Sequence, residues 1–275
     1  MKNDNGIFEP QKEISDQLPD GANQIYLKEN EEWPTLINRL GKPRLPLHHH
    51  LPDVLEWIKK KNDLNNFSFL DAGCGHGNDL RAIKRIVGNG HFFGVNISRA
   101  EIVRGLDFYK QNDNEDTDEA IKMFGLGNLH NLKQIFVWDE EEKSFSCPRS
   151  LEDGEFNLIY LEAVLHAAGY GYKTYVEKKE SAQKSLNELY RVLKPGGKFF
   201  GRASAFTTTI SREQQFEILR TNNSWHFVPD CDELLAMLTI AGFCSIKRVI
   251  RQDEKAKTDS KKENVVKVSF LAEKR

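Results

Sequence analysis

Three glycines at alternate positions, Gly73, Gly75 and Gly77, follow an apolar run that ends in Asp71. The run has the composition of a buried β-strand, and Asn78 or Asp79 can begin a helix. Glycine tolerates positive φ and has no Cβ, so this turn lets a ligand approach bare backbone closely. A tight turn alone accounts for one glycine but poorly for three. The pattern therefore predicts an adenosine-containing cofactor at the end of the strand.

Short β-rich runs alternate with helical stretches from residue 67 onward, which indicates βαβ units and a parallel sheet. The predicted strands are 67–71, 91–96, 134–138, 156–161, 198–203, 244–251 and 265–272. The predicted helices are 79–87, 99–112, 173–192 and 230–241. No helix separates the last two strands, so they form an antiparallel hairpin. We expect an α/β fold with a doubly wound, mostly parallel, seven-stranded sheet, an antiparallel strand near its edge and a helical N-terminal extension.

The domain organisation follows from the same pass along the chain. Residues 1–23 are polar and without periodicity, which is typical of a disordered tail. Residues 24–66 have a proline-interrupted helical pattern and form an N-terminal cap. Residues 67–275 form the main domain, with a lid-like insert at 205–230 that contains Phe206, Trp225, His226 and Phe227.

Composition limits the classes of partner. The chain has 39 basic and 41 acidic residues in 275, a net charge of −2, which does not favour a dedicated nucleic-acid binder. No apolar run approaches the roughly 18 residues of a membrane span, and the N-terminus lacks the apolar core of a signal peptide. The four cysteines form no CxxC pair, which suggests free thiols in a reducing compartment. We therefore expect a cytoplasmic protein without a metal site.

The glycine turn departs from the dinucleotide-binding fingerprint. The G-x-G-x-x-G pattern requires a glycine at position 78, where this chain has Asn78. The turn is therefore G-x-G-x-G, which argues against a nicotinamide-dependent dehydrogenase.

The segment DAGCGHG at 71–77 resembles the first motif of class I S-adenosylmethionine-dependent methyltransferases. Five further segments resemble motifs of that family in the same order: 91–98, 136–142, 156–167, 186–200 and 226–243. The Leu-Lys-Pro-Gly-Gly turn in the fifth of these six segments is quite specific. The resemblance covers roughly residues 67–275, and it implies S-adenosyl-L-methionine as the cofactor.

The resemblance also implies roles for individual residues. Asp71 would orient the methionine amino group, and Gly73 and Gly75 would give the cofactor access to backbone. Asp139 would accept from the adenine amino group, with Ile97 against the ring. The end of the fourth motif strand, at Leu161 and Glu162, would lie beside the sulfonium. Each residue has a plainer alternative: Asp71 as a turn cap, Asp139 as part of a solvated acidic face, and Ile97 and Leu161 as core.

One position departs from the family pattern. The ribose-binding residue is usually Asp or Glu, and here it is Asn96. An amide oxygen accepts a hydrogen bond but lacks the stronger charge-assisted pair of a carboxylate. Glu101 lies one helical turn further on, and the sequence alone does not assign the direction of its side chain.

The candidate catalytic residues are His166 and Tyr170. His166 is a candidate general base or substrate contact, and Tyr170 lies in the glycine-containing, aromatic segment 169–175. A structural histidine and packing tyrosines are the alternatives. We expect methyl transfer to a small-molecule acceptor. The alternatives are a methyltransferase acting on protein or RNA, and a methyltransferase-like binding domain with weakened catalysis.

Overall fold

A computed structural model of the chain describes residues 40–61, 64–165, 174–207, 210–221, 227–252 and 264–275. The predicted tail at 1–23 and the first part of the predicted cap lie outside these residues. The described part of the cap contains a 3₁₀ turn at Leu45–Leu47 and one helix. None of the described helices is both long enough and apolar enough to cross a membrane.

A single nine-stranded sheet forms the centre of the described fold. Its strands are β1 Ser68–Ala72, β2 His91–Asn96, β3 Phe124–Leu126, β4 Ile135–Asp139, β5 Ser144–Arg149, β6 Phe156–Glu162, β7 Leu193–Phe206, β8 Cys244–Gln252 and β9 Val265–Glu273. The helices are α1 Leu51–Lys59, α2 Asn78–Val87, α3 Arg99–Asp113, α4 Thr117–Ile121, α5 Tyr175–Val192, α6 Arg212–Thr221 and α7 Cys231–Ala241.

The strand order is β5-β4-β3-β2-β1-β6-β7-β9-β8. The five central strands β3, β2, β1, β6 and β7 are parallel. The β4–β5 pair extends one side of the sheet, and the β9–β8 pair extends the other, both antiparallel. The predicted α/β class with a mostly parallel sheet is confirmed.

The strand count corrects the expectation of seven. β3 and β5 are the two strands that the sequence pattern did not predict. β3 has three residues and directly follows the short helix α4, so no alternation is visible in the sequence. It lies parallel beside β2, and β4, the strand predicted at 134–138, runs antiparallel beside β3.

Helices cover both faces of the sheet, as expected of a doubly wound fold. On one face α5 and α7 bury Leu186, Leu189, Leu234 and Leu238 against Phe199 and Phe270. On the other face α1, α2 and α3 contribute Val54, Ile58, Leu80, Ile83, Ile102 and Leu106. A complete capping box between Thr174 and Glu177 begins α5, which fixes where the chain returns to helix after β6.

Candidate active site

The carboxyl ends of the parallel strands form one edge of the sheet, where the loops gather the predicted cofactor residues. Asp71 is in register with Gly94 of β2 and Tyr160 of β6. The amide of Gly73 donates to the carbonyl of Val95 at 2.8 Å, which folds the glycine turn over the end of β2. Most of the predicted cofactor residues lie at this edge: Asp71, Gly73, Gly75, Asn96, Ile97 and Leu161.

The glycine turn contains two glycines with different physical requirements. Gly73 has φ +79°, and a Cβ there would lie 2.4 Å from a methyl carbon of Val164, which follows β6. Gly75 has φ +53°, and a Cβ there would project into open space. The first glycine therefore permits close packing within the protein. The second leaves an open cradle at the strand edge that a bound ligand can fill.

Asp71 is 2 % exposed, and its Oδ2 atom has no hydrogen-bond partner among the described residues. Burial raises the pKa of Asp71 well above its usual range, and the nearby carboxyl of Asp79 adds to this. The backbone N–H of Leu80 acts in the opposite direction. A cationic amino group at this position would favour the ionised carboxylate and satisfy the buried oxygen. The methionine end of S-adenosylmethionine has such a group, so the chemistry of Asp71 fits it.

Asp139 does not join this group of residues, which corrects the grouping expected from the sequence. β4 runs antiparallel to β3, with Phe136 opposite Leu126, so Asp139 lies toward the opposite edge of the sheet. There its Oδ1 accepts the backbone N–H groups of Glu141 at 2.8 Å and Glu142 at 2.9 Å. Asp139 therefore caps the turn between β4 and β5.

The chain that follows β3 reaches the carboxyl edge of the sheet, whereas Asp139 does not. Gly127 donates its amide to the carbonyl of Asn96 at 2.9 Å, which joins this loop to the end of β2. The side chain of Asn128 accepts the amide of His130 at 3.2 Å and so forms a local turn. Sequence reasoning missed this loop because it missed β3.

A cluster of paired charges surrounds Glu162 at the end of β6. Arg202 of β7 donates to both Glu162 carboxylate oxygens, with a shortest distance of 2.5 Å. Arg44 donates at 3.2 Å and the Tyr160 hydroxyl at 3.1 Å. The next residue, Ala163, has φ +55°, a left-handed conformation uncommon outside glycine. The chain therefore turns sharply away from the sheet beside this cluster.

Asp79 connects residues 41–45, the N-terminal segment, to the glycine turn. Its Oδ1 accepts the backbone N–H groups of Arg44 at 2.5 Å and Leu45 at 2.6 Å. Burial raises the pKa of Asp79 to about 6, although these two hydrogen bonds lower it. The amide of Gly41 also donates to Asn78, at 3.1 Å. Residues 41–45 are thereby held across the start of α2.

Sequence reasoning missed Arg44 and Arg202 as members of the site. Arg202 had one signal, a charge inside the apolar strand sequence of β7. Arg44 had none, since it reaches Glu162 across 118 residues of chain.

The acceptor-side candidates are described only in part. His166 and Tyr170 lie outside the described residues, as do Trp225 and His226 of the predicted lid. Tyr175, at the start of α5, packs against Phe216 and Phe227, and its hydroxyl donates to Glu233. Its role is therefore to join α5, α6 and α7.

Comparison with known proteins places the fold. A sequence family described as a methyltransferase domain matches residues 70–201. No curated protein sequence matches the chain.

Solved structures give the same fold. Haemonchus contortus phosphoethanolamine N-methyltransferase 2, solved with phosphomonomethylethanolamine and S-adenosylhomocysteine, aligns over 81 % of this chain at 14 % identity and a TM-score of 0.51. The alignment spans about half of that enzyme, 52 %. Geranyl diphosphate C-methyltransferase from Streptomyces coelicolor A3(2) aligns over 90 % of this chain and 86 % of its own at 14 % identity, with a TM-score of 0.53.

The family match falls on the elements that build the site, from β1 through the glycine turn to β7. The solved structures share the sheet that brings those elements to one edge. Residues 70–201 therefore match a methyltransferase domain in sequence, and the described sheet has the fold of methyltransferases whose cofactor is S-adenosyl-L-methionine.

Proposed function

We propose that this chain transfers a methyl group from S-adenosylmethionine to a small polar acceptor. The observation that carries the proposal is the position of residues 41–45 across the carboxyl edge of the sheet. Backbone hydrogen bonds to Asp79 and the Arg44–Glu162 pair hold this segment beside the end of β6. A segment held there restricts the space beyond the strand ends, which favours a small acceptor over an extended polymer.

The charges around that space support a polar acceptor. Asp79 and Glu162 face Arg44 and Arg202, so acidic and basic groups are paired and no single sign dominates. A polynucleotide would require an excess of basic groups. The two solved structures named above are methyltransferases with small molecules bound, phosphomonomethylethanolamine in one and geranyl diphosphate in the other.

The cofactor side of the proposal uses the residues at the glycine turn. Asp71 would hold the methionine amino group, and Gly73 and Gly75 would bring backbone against the cofactor. Asn96 and Ile97 at the end of β2 would face the adenosine, and Leu161 would lie beside the sulfur. S-adenosylmethionine supplies an electrophilic methyl group, and the protein supplies alignment and exclusion of water.

The acceptor side rests on His166 and Tyr170. An oxygen or nitrogen acceptor that must lose a proton requires a base, and His166 is the candidate. Tyr170 is the candidate substrate contact. The substitutions His166→Gln and Tyr170→Phe are expected to slow methyl transfer while leaving the affinity for S-adenosylhomocysteine unchanged.

The experiment has two stages. Calorimetric titration with S-adenosylhomocysteine tests the cofactor site, and no detectable binding at millimolar ligand would contradict an enzymatic function. Transfer of labelled methyl from S-adenosylmethionine is then measured to amines, carboxylic acids, phosphorylated amines, a total protein extract and total RNA. Labelling of a small molecule supports the proposal. Labelling confined to protein or RNA overturns it, and strong salt dependence would accompany an RNA substrate.

A further inference from the structure

The side chain of Asn96 is engaged by the protein itself. Its Oδ1 accepts the backbone N–H of Ile97 at 2.8 Å. Its Nδ2 donates to the carbonyl of Gly75 at 3.3 Å and to Glu101 Oε2 at 2.8 Å, with the Ser98 carbonyl also in range at 3.4 Å. The residue is 7 % exposed. Asn96 therefore ties the end of β2 to the glycine turn and to the start of α3.

Glu101 is placed by the first turn of α3. Ser98 caps this helix, and the backbone N–H of Glu101 donates to Ser98 Oγ at 3.3 Å. Helix α3 begins directly after β2, so its first turn lies at the carboxyl edge of the sheet. A carboxylate in the first turn of a helix is also stabilised by the helix dipole. The half-buried Glu101 side chain thus presents a negative charge beside the glycine turn.

We infer that Glu101 is the carboxylate that accepts hydrogen bonds from the ribose hydroxyls of the cofactor, and that Asn96 is its positioning residue. A carboxylate has about four acceptor positions on two oxygens, so Glu101 can accept from Asn96 and from a diol together. The open space beside Gly75, which also contacts Asn96, is where the ligand would approach. The inference rests on the S-adenosylmethionine site of the proposed function.

The test compares two ligands in the full chain, S-adenosylhomocysteine and its analogue lacking the 2′- and 3′-hydroxyls of the ribose. The substitution Glu101→Gln is expected to weaken S-adenosylhomocysteine binding about tenfold, because a charge-assisted hydrogen bond becomes a neutral one. Binding of the dideoxy analogue is expected to stay as in the wild type. Equal weakening of both ligands, or no weakening of either, overturns the inference.

Rescue separates a ribose contact from a general structural role. The double variant Asn96→Asp, Glu101→Gln places a carboxylate at the end of β2 and is expected to regain most of the lost affinity for S-adenosylhomocysteine alone. Glu119→Gln, in the exposed Glu119–Lys122 pair, is the matched control and is expected to bind as the wild type.

Binding measurements on the wild-type chain distinguish failure of the proposed function from failure of this inference alone. If it binds neither ligand, both the proposed function and this inference fail. If it binds S-adenosylhomocysteine and Glu101→Gln binds equally well, only this inference fails. Should Glu101→Gln not fold, Glu101→Asp keeps the charge on a shorter side chain, and a selective loss of S-adenosylhomocysteine affinity is again required.

Discussion

Arg44 donates a hydrogen bond to Glu162 across the carboxyl edge of the sheet, with 3.2 Å between Nη1 and Oε1. Arg202 donates to the same carboxylate from the neighbouring strand. Glu162 is thus shared between the N-terminal segment and the sheet, and its side chain is only 9 % exposed. A carboxylate buried to this extent needs its partners, since unpaired buried charge is costly.

The Arg44–Glu162 pair is expected to couple the N-terminal segment to the sheet. We predict a coupling free energy of about 1 kcal/mol, because Arg44 is partly solvated. The measurement is a double-mutant cycle of unfolding free energies with Arg44→Met, Glu162→Gln and both together. Hydrogen exchange of residues 41–47 should also accelerate in Arg44→Met. Lys60→Met, which breaks the exposed Lys60–Glu56 pair, is the control and should leave that exchange unchanged.

Gly75 and Gly196 form a matched pair for testing the open cradle. Both have left-handed backbone, with φ +53° and +71°, and in both cases a Cβ would meet open space. Alanine at either position is therefore expected to cost about 1 kcal/mol of unfolding free energy through backbone strain. Only Gly75→Ala should also weaken S-adenosylhomocysteine binding, about tenfold or more, because the methyl group would occupy ligand space. Equal affinities for the two variants would show that the cradle does not receive the cofactor.

Substitutions of Asp139 and Asp71 are expected to affect different quantities, the unfolding free energy for Asp139 and the affinity for S-adenosylhomocysteine for Asp71. Asp139→Ala removes a turn cap and should lower the unfolding free energy by about 1 kcal/mol, with unchanged affinity for S-adenosylhomocysteine. Asp71→Asn should weaken that affinity about tenfold, since the charge facing the amino group is lost. Both quantities are read from denaturation and calorimetric titration of the same preparations. A clear loss of affinity in Asp139→Ala would return Asp139 to the cofactor site.

His48 is expected to make stability depend on pH. It is 3 % exposed and packs edge-on against Tyr160 and Phe200. Burial lowers the pKa of His48 to about 4, against an opposing effect of Glu162. The folded state therefore favours the neutral imidazole, whereas the unfolded chain is protonated below about pH 6.5. The contribution of His48 to the unfolding free energy is complete above that pH and is lost as the pH falls toward 4. The loss is at most about 3 kcal/mol.

The variant His48→Asn isolates this effect. Its side-chain oxygen can still accept the His50 N–H that His48 Nδ1 accepts, while the titration is removed. The difference in unfolding free energy between wild type and variant should shrink from pH 7 to pH 4. A pH-independent difference for His48→Asn would contradict the prediction.

Asp79→Asn should show the opposite trend in the same measurement. The pKa of Asp79 is raised to about 6, so its ionised form lowers the unfolding free energy of the wild type as the pH rises through 6.

The parts of the fold that the sequence predicts are those with local signals. The apolar strand, three glycines and helix start around Gly73 predict β1, its turn and α2 because each feature depends on neighbouring residues. β3 escaped prediction because three residues, Phe124–Leu126, are too few to show alternation. Because β3 lies beside β2 and β4 runs antiparallel to β3, Asp139 lies toward the opposite edge of the sheet from Asp71.

The candidate site likewise contains residues that the sequence predicts and contacts that only the tertiary structure shows. Asp71 and Asn96 are predictable because strand ends in parallel sheets meet at one edge. The contacts of Arg44 with Glu162 and of Asp79 with Leu45 depend on chain segments that tertiary packing alone brings together. The direction of the Glu101 side chain likewise required the position of Asn96, since a helix cap fixes the backbone but leaves side-chain rotamers open.

The antiparallel pairs at the two sides of the sheet have a consequence for self-association. β5 is an outermost strand, its pairing with β4 is interrupted by a register shift, and Pro148 within it has no amide hydrogen to donate. β8, the other outermost strand, has Lys247, Arg248 and Arg251 along its length. Bulges, proline and charge are the features by which natural sheets resist edge-to-edge aggregation. The strands that flank the central parallel strands therefore also protect the sheet from adding a strand of another molecule.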